Sequence, residues 1–363
     1  MKKDLTVVIV LGLIIGGLSL INLFFTPPDI LLSERRLREQ RPALSLDSLT
    51  SGDFMADFEP YAADAFPFRD TFRALRAAAT FGAFLQTDKD GIYFEQTGIG
   101  SFAATNAESV ALLADKIAAI ANGLEGLNIF YAIIPDKSIF ANRTMPGFDN
   151  ALVEQIKTER LPHLQFIPLI DALTAQSFYR TDLHWNQVRI GEVADALGNT
   201  MDFTVNHDNF TKHYAGQFHG GYAGQFALPV RTESMYFLHN PYIRAFYMNM
   251  ATREFEEGEV HDLSMFGGLD PYDIFLRGIQ PLVKLTNENA ATYRTLYIFR
   301  DSFASSLAPI LADAYAKIFL IDFRFIDLRT VHEILDFAPG SDALFLYSGG
   351  ILNNAEMLMI PMP

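Results

Sequence analysis

Short apolar runs separated by segments of helical spacing constrain this chain more than any other feature. The clearest are residues 127–134 (LNIFYAII), 295–299 (TLYIF), 317–321 (KIFLI) and 342–347 (DALFLY). Residues 163–170 read as a further strand. Helical spacing covers residues 108–121, 186–197, 303–315 and 328–335. A strand that is apolar at nearly every position is buried on both faces, which is the condition of a parallel sheet covered by helices. The expected class is therefore α/β, with a central parallel sheet between two helical layers.

Two stretches depart from this pattern. Residues 5–25 (LTVVIVLGLIIGGLSLINLFF) carry no charge, and their length suits the ~20 residues a membrane helix needs. A cleavable signal peptide would have a shorter apolar part and a small-residue cleavage site. This run ends instead in Phe24-Phe25-Thr26-Pro27-Pro28, so residues 1–25 read as an uncleaved signal anchor. Lys2 and Lys3 favour an N-terminus inside the cell. Arg35, Arg36, Arg38 and Arg41 count the other way, but they start about ten residues past the helix, and long following domains translocate largely regardless of charge. The expectation is a single-pass protein whose main domain is extracytoplasmic. Residues 26–85 read as a stalk and helical lead-in, and 86–363 as the α/β domain. Between about 201 and 288 the alternation stops, and YAGQFHGGYAGQFALP marks an irregular or β-rich insertion.

Net charge is -15. An acidic surface repels phosphate backbones, so nucleic acid is not an expected partner. Cysteine is absent, which excludes disulfides, thiolate metal sites and a cysteine nucleophile.

The chemistry concentrates in FYRTDLHWNQ, residues 178–187, which holds the chain's only tryptophan. Asp182 and His184 admit three readings. His184 is a core histidine beside Trp185; or it is a metal ligand, for which His207, His213 and His219 offer no regular spacing; or Asp182 orients His184 as a general base. The third reading needs a nucleophile, and TLYIFRDSFASSLAPIL supplies Ser302 between a strand and a helix. A serine at the carboxyl end of a parallel strand, opening a helix, is where an α/β fold presents a reactive group. The simpler reading of Asp301 or Ser302 is a helix cap.

TDLHW (residues 181–185) together with RDSF (residues 300–303) resembles the DHHW family, which is akin to the SGNH-hydrolase-like domains of the alginate O-acetyltransferase proteins. YAADAFPFRD, IPDKSIF, DPYDIFLRG, IDFRF and DALFLYS follow in the family's order and cover nearly all of the chain beyond the apolar helix. The resemblance implies a three-layer α/β/α SGNH-like domain of permuted order, in which the Asp-His pair precedes the serine. It implies Ser302 as nucleophile, His184 as base and Asp182 as orienter, with no cofactor and no metal. Leu183 stands where the family's name-motif has a second histidine, and its side chain is expected to point away from its neighbours. Arg324 is a candidate to face an oxyanion, or else a partner of Asp322 or Asp327. Tyr179 and Arg180 are candidates to hold a sugar or acyl group, and Trp185 to pack the loop or stack on a sugar. Asn353 and Asn354 are further polar candidates. The implied function is transfer of an acetyl group from a membrane-bound O-acyltransferase to an extracytoplasmic polysaccharide or other glycopolymer. A hydrolase and a non-catalytic carbohydrate-binding relative are the alternatives.

Overall fold

The computed structural model describes residues 2–24, 27–141 and 150–361. The chain forms two units: Met1–Lys89 with Ala223–Val230, and Asp90–Tyr222 with Arg231–Pro363. In the first, the helix Lys2–Phe24 contains Leu5–Asn22, long and apolar enough to cross a membrane, with mean hydropathy 2.4. The helices Leu46–Ser51, Asp53–Asp64 and Arg69–Ala78 follow. Asp64 is buried there and takes two hydrogen bonds from Arg36, at 2.6 and 2.7 Å.

The second unit is built on an eight-stranded sheet. Its strands are β1 (Asn128–Ile134), β2 (Gln165–Phe166), β3 (Ile243–Asn249), β4 (Glu254–Gly258), β5 (Leu282–Asn287), β6 (Thr292–Arg300), β7 (Tyr315–Ile321) and β8 (Asp342–Ser348). The spatial order is β4-β3-β5-β7-β6-β8-β1-β2. From β7 to β2 every pairing is parallel. β5, β3 and β4 extend the sheet antiparallel beyond β7. Part of the stretch between 201 and 288 therefore lies in the central sheet itself. The remainder includes an antiparallel pair, Thr211–Phe218 with Glu233–His239.

The apolar runs are continuous because both faces are buried. Phe130, Ala132, Ile298, Leu344 and Leu346 pack on one side with the helices α2 (Gly191–Met201) and α3 (Ala304–Leu311). Tyr131, Ile133, Phe299, Phe345 and Tyr347 pack on the other with α1 (Ala107–Ala121) and α4 (Leu328–Ile334). The Phe299 and Phe345 rings stack at 4.6 Å across neighbouring strands.

Local signals shift several boundaries. The strand expected over 163–170 shrinks to Gln165–Phe166. Pro162 and Pro168 bracket it, and a proline cannot donate to a ladder. The helix expected from 186 breaks at Ile190: Gln187–Arg189 is a 3-10 turn, and α2 then runs on to Met201. The helix expected to reach 315 stops at Leu311, because β7 begins at Tyr315.

The sheet's connectivity locates the site. From β1 the chain moves outward to β2, and from β6 it moves the opposite way to β7. In open α/β sheets, ligands bind outside the carboxyl ends of the strands where the order reverses. Here that place lies across β6, β8 and β1, whose pairings run Arg300 with Leu346 and Ser348 with Ile134. Leu344 is fully buried in this region. Leu344→Ala is expected to lower stability by about 2–5 kcal/mol through lost burial and an unfilled cavity, measured by chemical denaturation of the full chain in detergent micelles.

Candidate active site

Residues 178–185 form a tight loop. Phe178 and Trp185 make an antiparallel bridge, and Tyr179 N–H donates to His184 O at 3.1 Å. The turn between them carries Asp182 and His184 into the interior and leaves Leu183 38% exposed. Asp182 has no exposure at all. Its Oδ1 lies 2.8 Å from His184 Nδ1 and accepts His184 N–H at 3.0 Å, while Oδ2 accepts Gly221 N–H at 2.8 Å. The other ring nitrogen, Nε2, lies 2.8 Å from Ser302 Oγ. One hydrogen-bonded line thus runs from carboxylate to imidazole to hydroxyl. The imidazole is also held face-on to Tyr272, with ring centroids 3.9 Å apart and planes within 6°.

Ser302 follows β6, two residues before α3 begins. Asp301 fixes this corner: its Oδ1 accepts Phe303 N–H at 3.0 Å and its Oδ2 accepts Ser348 N–H at 2.7 Å from the end of β8. Asp301 is thus a turn-former, and Ser302 remains half-buried, with its hydroxyl toward His184.

The loop 178–185 is anchored from one side by Lys137, just beyond β1. Its buried ammonium donates to Tyr179 O at 3.0 Å, Arg180 O at 3.4 Å and Asp182 O at 2.9 Å. Burial pushes the Lys137 ammonium down to about 8, against the pull of Asp182, Asp136 and Glu233. From above, Glu233 accepts Arg180 N–H and Thr181 N–H, each at 2.8 Å, and a short hydrogen bond from the Thr181 hydroxyl. Gly220 lies flat on the loop, where a Cβ would come within 2.1 Å of Thr181 O.

The remaining sequence candidates fall in different places. Trp185 is fully buried and donates through Nε1 to Phe303 O at 2.9 Å and Ser306 Oγ at 2.8 Å, so it packs the loop against α3. Tyr179 is buried edge-on to Phe218 at 5.0 Å, with its ring inside an aromatic cluster. Arg180 holds the loop through its backbone, and its side chain is exposed. Arg324 is committed to the buried Asp322, at 2.9 and 2.6 Å. Asn353 and Asn354 bind backbone groups at Asn106, Ala104 and Gly350. Lys137, Glu233, Tyr272 and Ser306 carried no local signal as site residues. Lys137 does sit in the IPDKSIF motif, where a lysine three residues past a buried strand is a charge that burial must satisfy.

Serine, histidine and aspartate thus meet at the carboxyl edge of a mostly parallel sheet covered by helices on both faces. At the level of sequence, no family model matches and no curated protein aligns with significance. Solved structures do share the fold. A DHHW family protein from Eubacterium siraeum aligns over 74% of this chain and 95% of its own, at 17% identity and TM-score 0.59. PatB1 from Bacillus cereus aligns over 73% and 98%, at 14% identity and TM-score 0.57. The O-acetyltransferase domain of Pseudomonas putida AlgJ aligns over 73% and 93%, at 12% identity and TM-score 0.42. The fold thus resembles that of a solved member of the family whose motifs the sequence resembles.

Lys137 sets a measurable pH dependence. Its folded value, about 8, lies below the ordinary 10.5. Across that window the unfolded chain keeps a proton the folded chain has lost, so this group makes stability rise with pH. Lys137→Met takes the donor from Tyr179 O and Asp182 O and leaves Arg180 O only Ile99 N–H, which is expected to cost about 1–3 kcal/mol at pH 7. The native chain should then gain a further ~1–3 kcal/mol over the Met variant as pH rises through the window, read from denaturation curves at each pH.

Proposed function

We propose that this chain is a membrane-anchored, extracytoplasmic O-acetyltransferase that modifies a cell-envelope polysaccharide through an acyl-serine on Ser302. The observation that carries the reading is the line Asp182–His184–Ser302, with both contacts at 2.8 Å. Ser302 Oγ attacks the acetyl carbonyl of the donor while His184 Nε2 takes the hydroxyl proton. The tetrahedral adduct collapses, the bond to the donor's leaving group breaks, and His184 returns the proton to that group. A polymer hydroxyl then enters and gives its proton to His184. Its oxygen attacks the acetyl-serine, and Ser302 leaves with the proton from His184.

Asp182 holds the ring in one tautomer and stabilises the imidazolium in both half-reactions. A positioned base of this kind supplies roughly 10²–10⁴-fold. Ser302 N–H donates to no described residue, which leaves it to the oxyanion, where one such donor is worth about 3–4 kcal/mol. Phe303 N–H is already taken by Asp301. The donor is an acetyl group delivered by a membrane-bound O-acyltransferase. The apolar span Leu5–Asn22 keeps the reactive unit near that donor, raising its effective concentration.

One of the PatB1 structures that shares this fold, at 13% identity and TM-score 0.56, carries a sulfonyl adduct. Sulfonylation is a reaction of activated nucleophiles, so the same chemistry tests Ser302. The full chain in detergent micelles, treated with phenylmethylsulfonyl fluoride, is expected to gain one sulfonyl group, mapped to Ser302 by peptide mass spectrometry. His184→Ala should label about 10²–10⁴-fold more slowly. Labelling of Ser302 no faster than that of surface serines would leave only a non-catalytic relative. With p-nitrophenyl acetate as donor, acetyl transfer to added oligosaccharide should exceed hydrolysis. The reverse would make the chain an esterase.

A further inference from the structure

A cavity of about 200 Å³ lies beside this site, at the carboxyl ends of β1 and β8. Asp136 and Ser138 line one wall, Gly349 and Gly350 another, with Thr105 and Tyr222 also facing it. Both walls are tied to the reacting groups. Tyr222 lies with its ring centroid 5.1 Å from the Lys137 ammonium that carries the base loop. Ser348, just before Gly349, donates to the Asp301 carboxylate beside Ser302.

Its polar groups are hydroxyls, amides and one carboxylate, set beside Ala103 and Leu352, with no lysine, arginine or histidine. Asp136 Oδ1 accepts Ser138 N–H at 2.8 Å. A carboxylate offers about four lone-pair sites, so capacity remains for donors from a ligand. Burial raises the Asp136 carboxyl above its ordinary value, opposed by Ser138 and by the Lys137 charge. A desolvated carboxylate rewards donors strongly, since charge-assisted hydrogen bonds are roughly twice as strong as neutral ones. The Tyr222 hydroxyl bonds to no described residue, although its ring is buried. Asn353 and Asn354 are fixed by backbone partners, so the far wall is preformed.

We propose that this cavity is the subsite for the accepting sugar, and that it takes a neutral glycan ring whose hydroxyls the Asp136 carboxylate reads. The assignment as an acceptor subsite rests on the acyl-transfer reading of Ser302. The volume is below the ~300–1,000 Å³ usual for drug-sized ligands and suits a single ring. A uronate or phosphate-bearing polymer would set a second anion against Asp136; the lining holds no cation, and the adjacent Lys137 ammonium is turned to the loop carbonyls rather than the cavity, so like charges there disfavour each other.

The test is binding, measured apart from turnover. Isothermal titration calorimetry on the full-length Ser302→Ala protein, in a detergent that contains no sugar, compares chitotriose and cellotriose with trigalacturonate. At least one neutral trisaccharide is expected to bind, and trigalacturonate at least about tenfold more weakly. Asp136→Asn should weaken the neutral sugar by about tenfold or more. Gly350→Leu fills the cavity where a Cβ meets only Ser348 Oγ, at 3.4 Å, so it blocks binding without relying on the buried carboxylate. Uronate binding as tight as neutral binding, neutral binding indifferent to both substitutions, or no neutral binding at all would each overturn the proposal. Sulfonyl labelling of Ser302 in the native chain reports the catalytic reading separately, so either claim can fail while the other stands.

Discussion

The Asp182 carboxylate, sealed from solvent, sets the terms for everything around it. A buried charge is tolerated only when it is paired and its lone pairs are satisfied. Here His184 supplies two donors to one oxygen and Gly221 N–H supplies the other. Each partner brings its own requirement. Gly221 N–H reaches the carboxylate because its neighbour Gly220 has no side chain to hold the backbone off Thr181. His184 stays in line because Tyr272 covers its face. The carbonyls of the same loop, turned inward with the carboxylate, need donors of their own, and Lys137 supplies them. The loop is thus a small polar network inside an apolar surround, where satisfied groups rigidify and unsatisfied ones are costly.

How much of this could be read from the sequence divides along physical lines. The strands of the parallel core were legible because burial on two faces writes itself into every consecutive residue, as in LNIFYAII and DALFLY. The antiparallel extension was not. Ile243–Asn249 and Leu282–Asn287 mix charged and apolar residues, since Arg244 and Lys284 sit on the partly open face beside Phe246. The pairing of the first with the second, and of the second with β7, is non-local, and no local signal encodes it. Asp182, His184 and Ser302 were legible as chemistry-bearing residues at a strand end and beside a lone tryptophan. That they meet across more than a hundred residues of chain was an inference from likeness, and their contacts are a fact of the fold.

Arg324 and Tyr179 show the opposite limit. Both stood close to the motifs and had the right chemistry for a ligand. Asp322, fully buried two residues earlier, takes the Arg324 guanidinium for itself. A charge that burial must neutralise outranks one that a ligand might use. Tyr179 points inward because Arg180 points outward, and alternation along an extended segment leaves no other choice. The residues that do support the loop from outside, Lys137 and Glu233, come from about 40 residues before it and 50 after it, distances at which sequence spacing says nothing about contact.

Ser302 and His184 are also joined behind their point of contact. Ser306, one turn into α3, receives Trp185 Nε1 at 2.8 Å and the Tyr272 hydroxyl at 2.7 Å. Gln187 then bonds Ser306 O at 2.7 Å and takes Leu238 N–H at 2.7 Å from the neighbouring hairpin. The helix that follows Ser302, the turn that follows His184, the residue that stacks on the imidazole and the hairpin that bears Glu233 thus share one buried polar junction. A displacement of any of these elements must break a buried hydrogen bond with no water to replace it, at about 1–3 kcal/mol for each group left unpaired. This explains why chain order can be permuted without loss of geometry. The contact between Ser302 and His184 is held by Trp185 and Ser306 across the back of the site, and that bracing is indifferent to which partner the ribosome makes first.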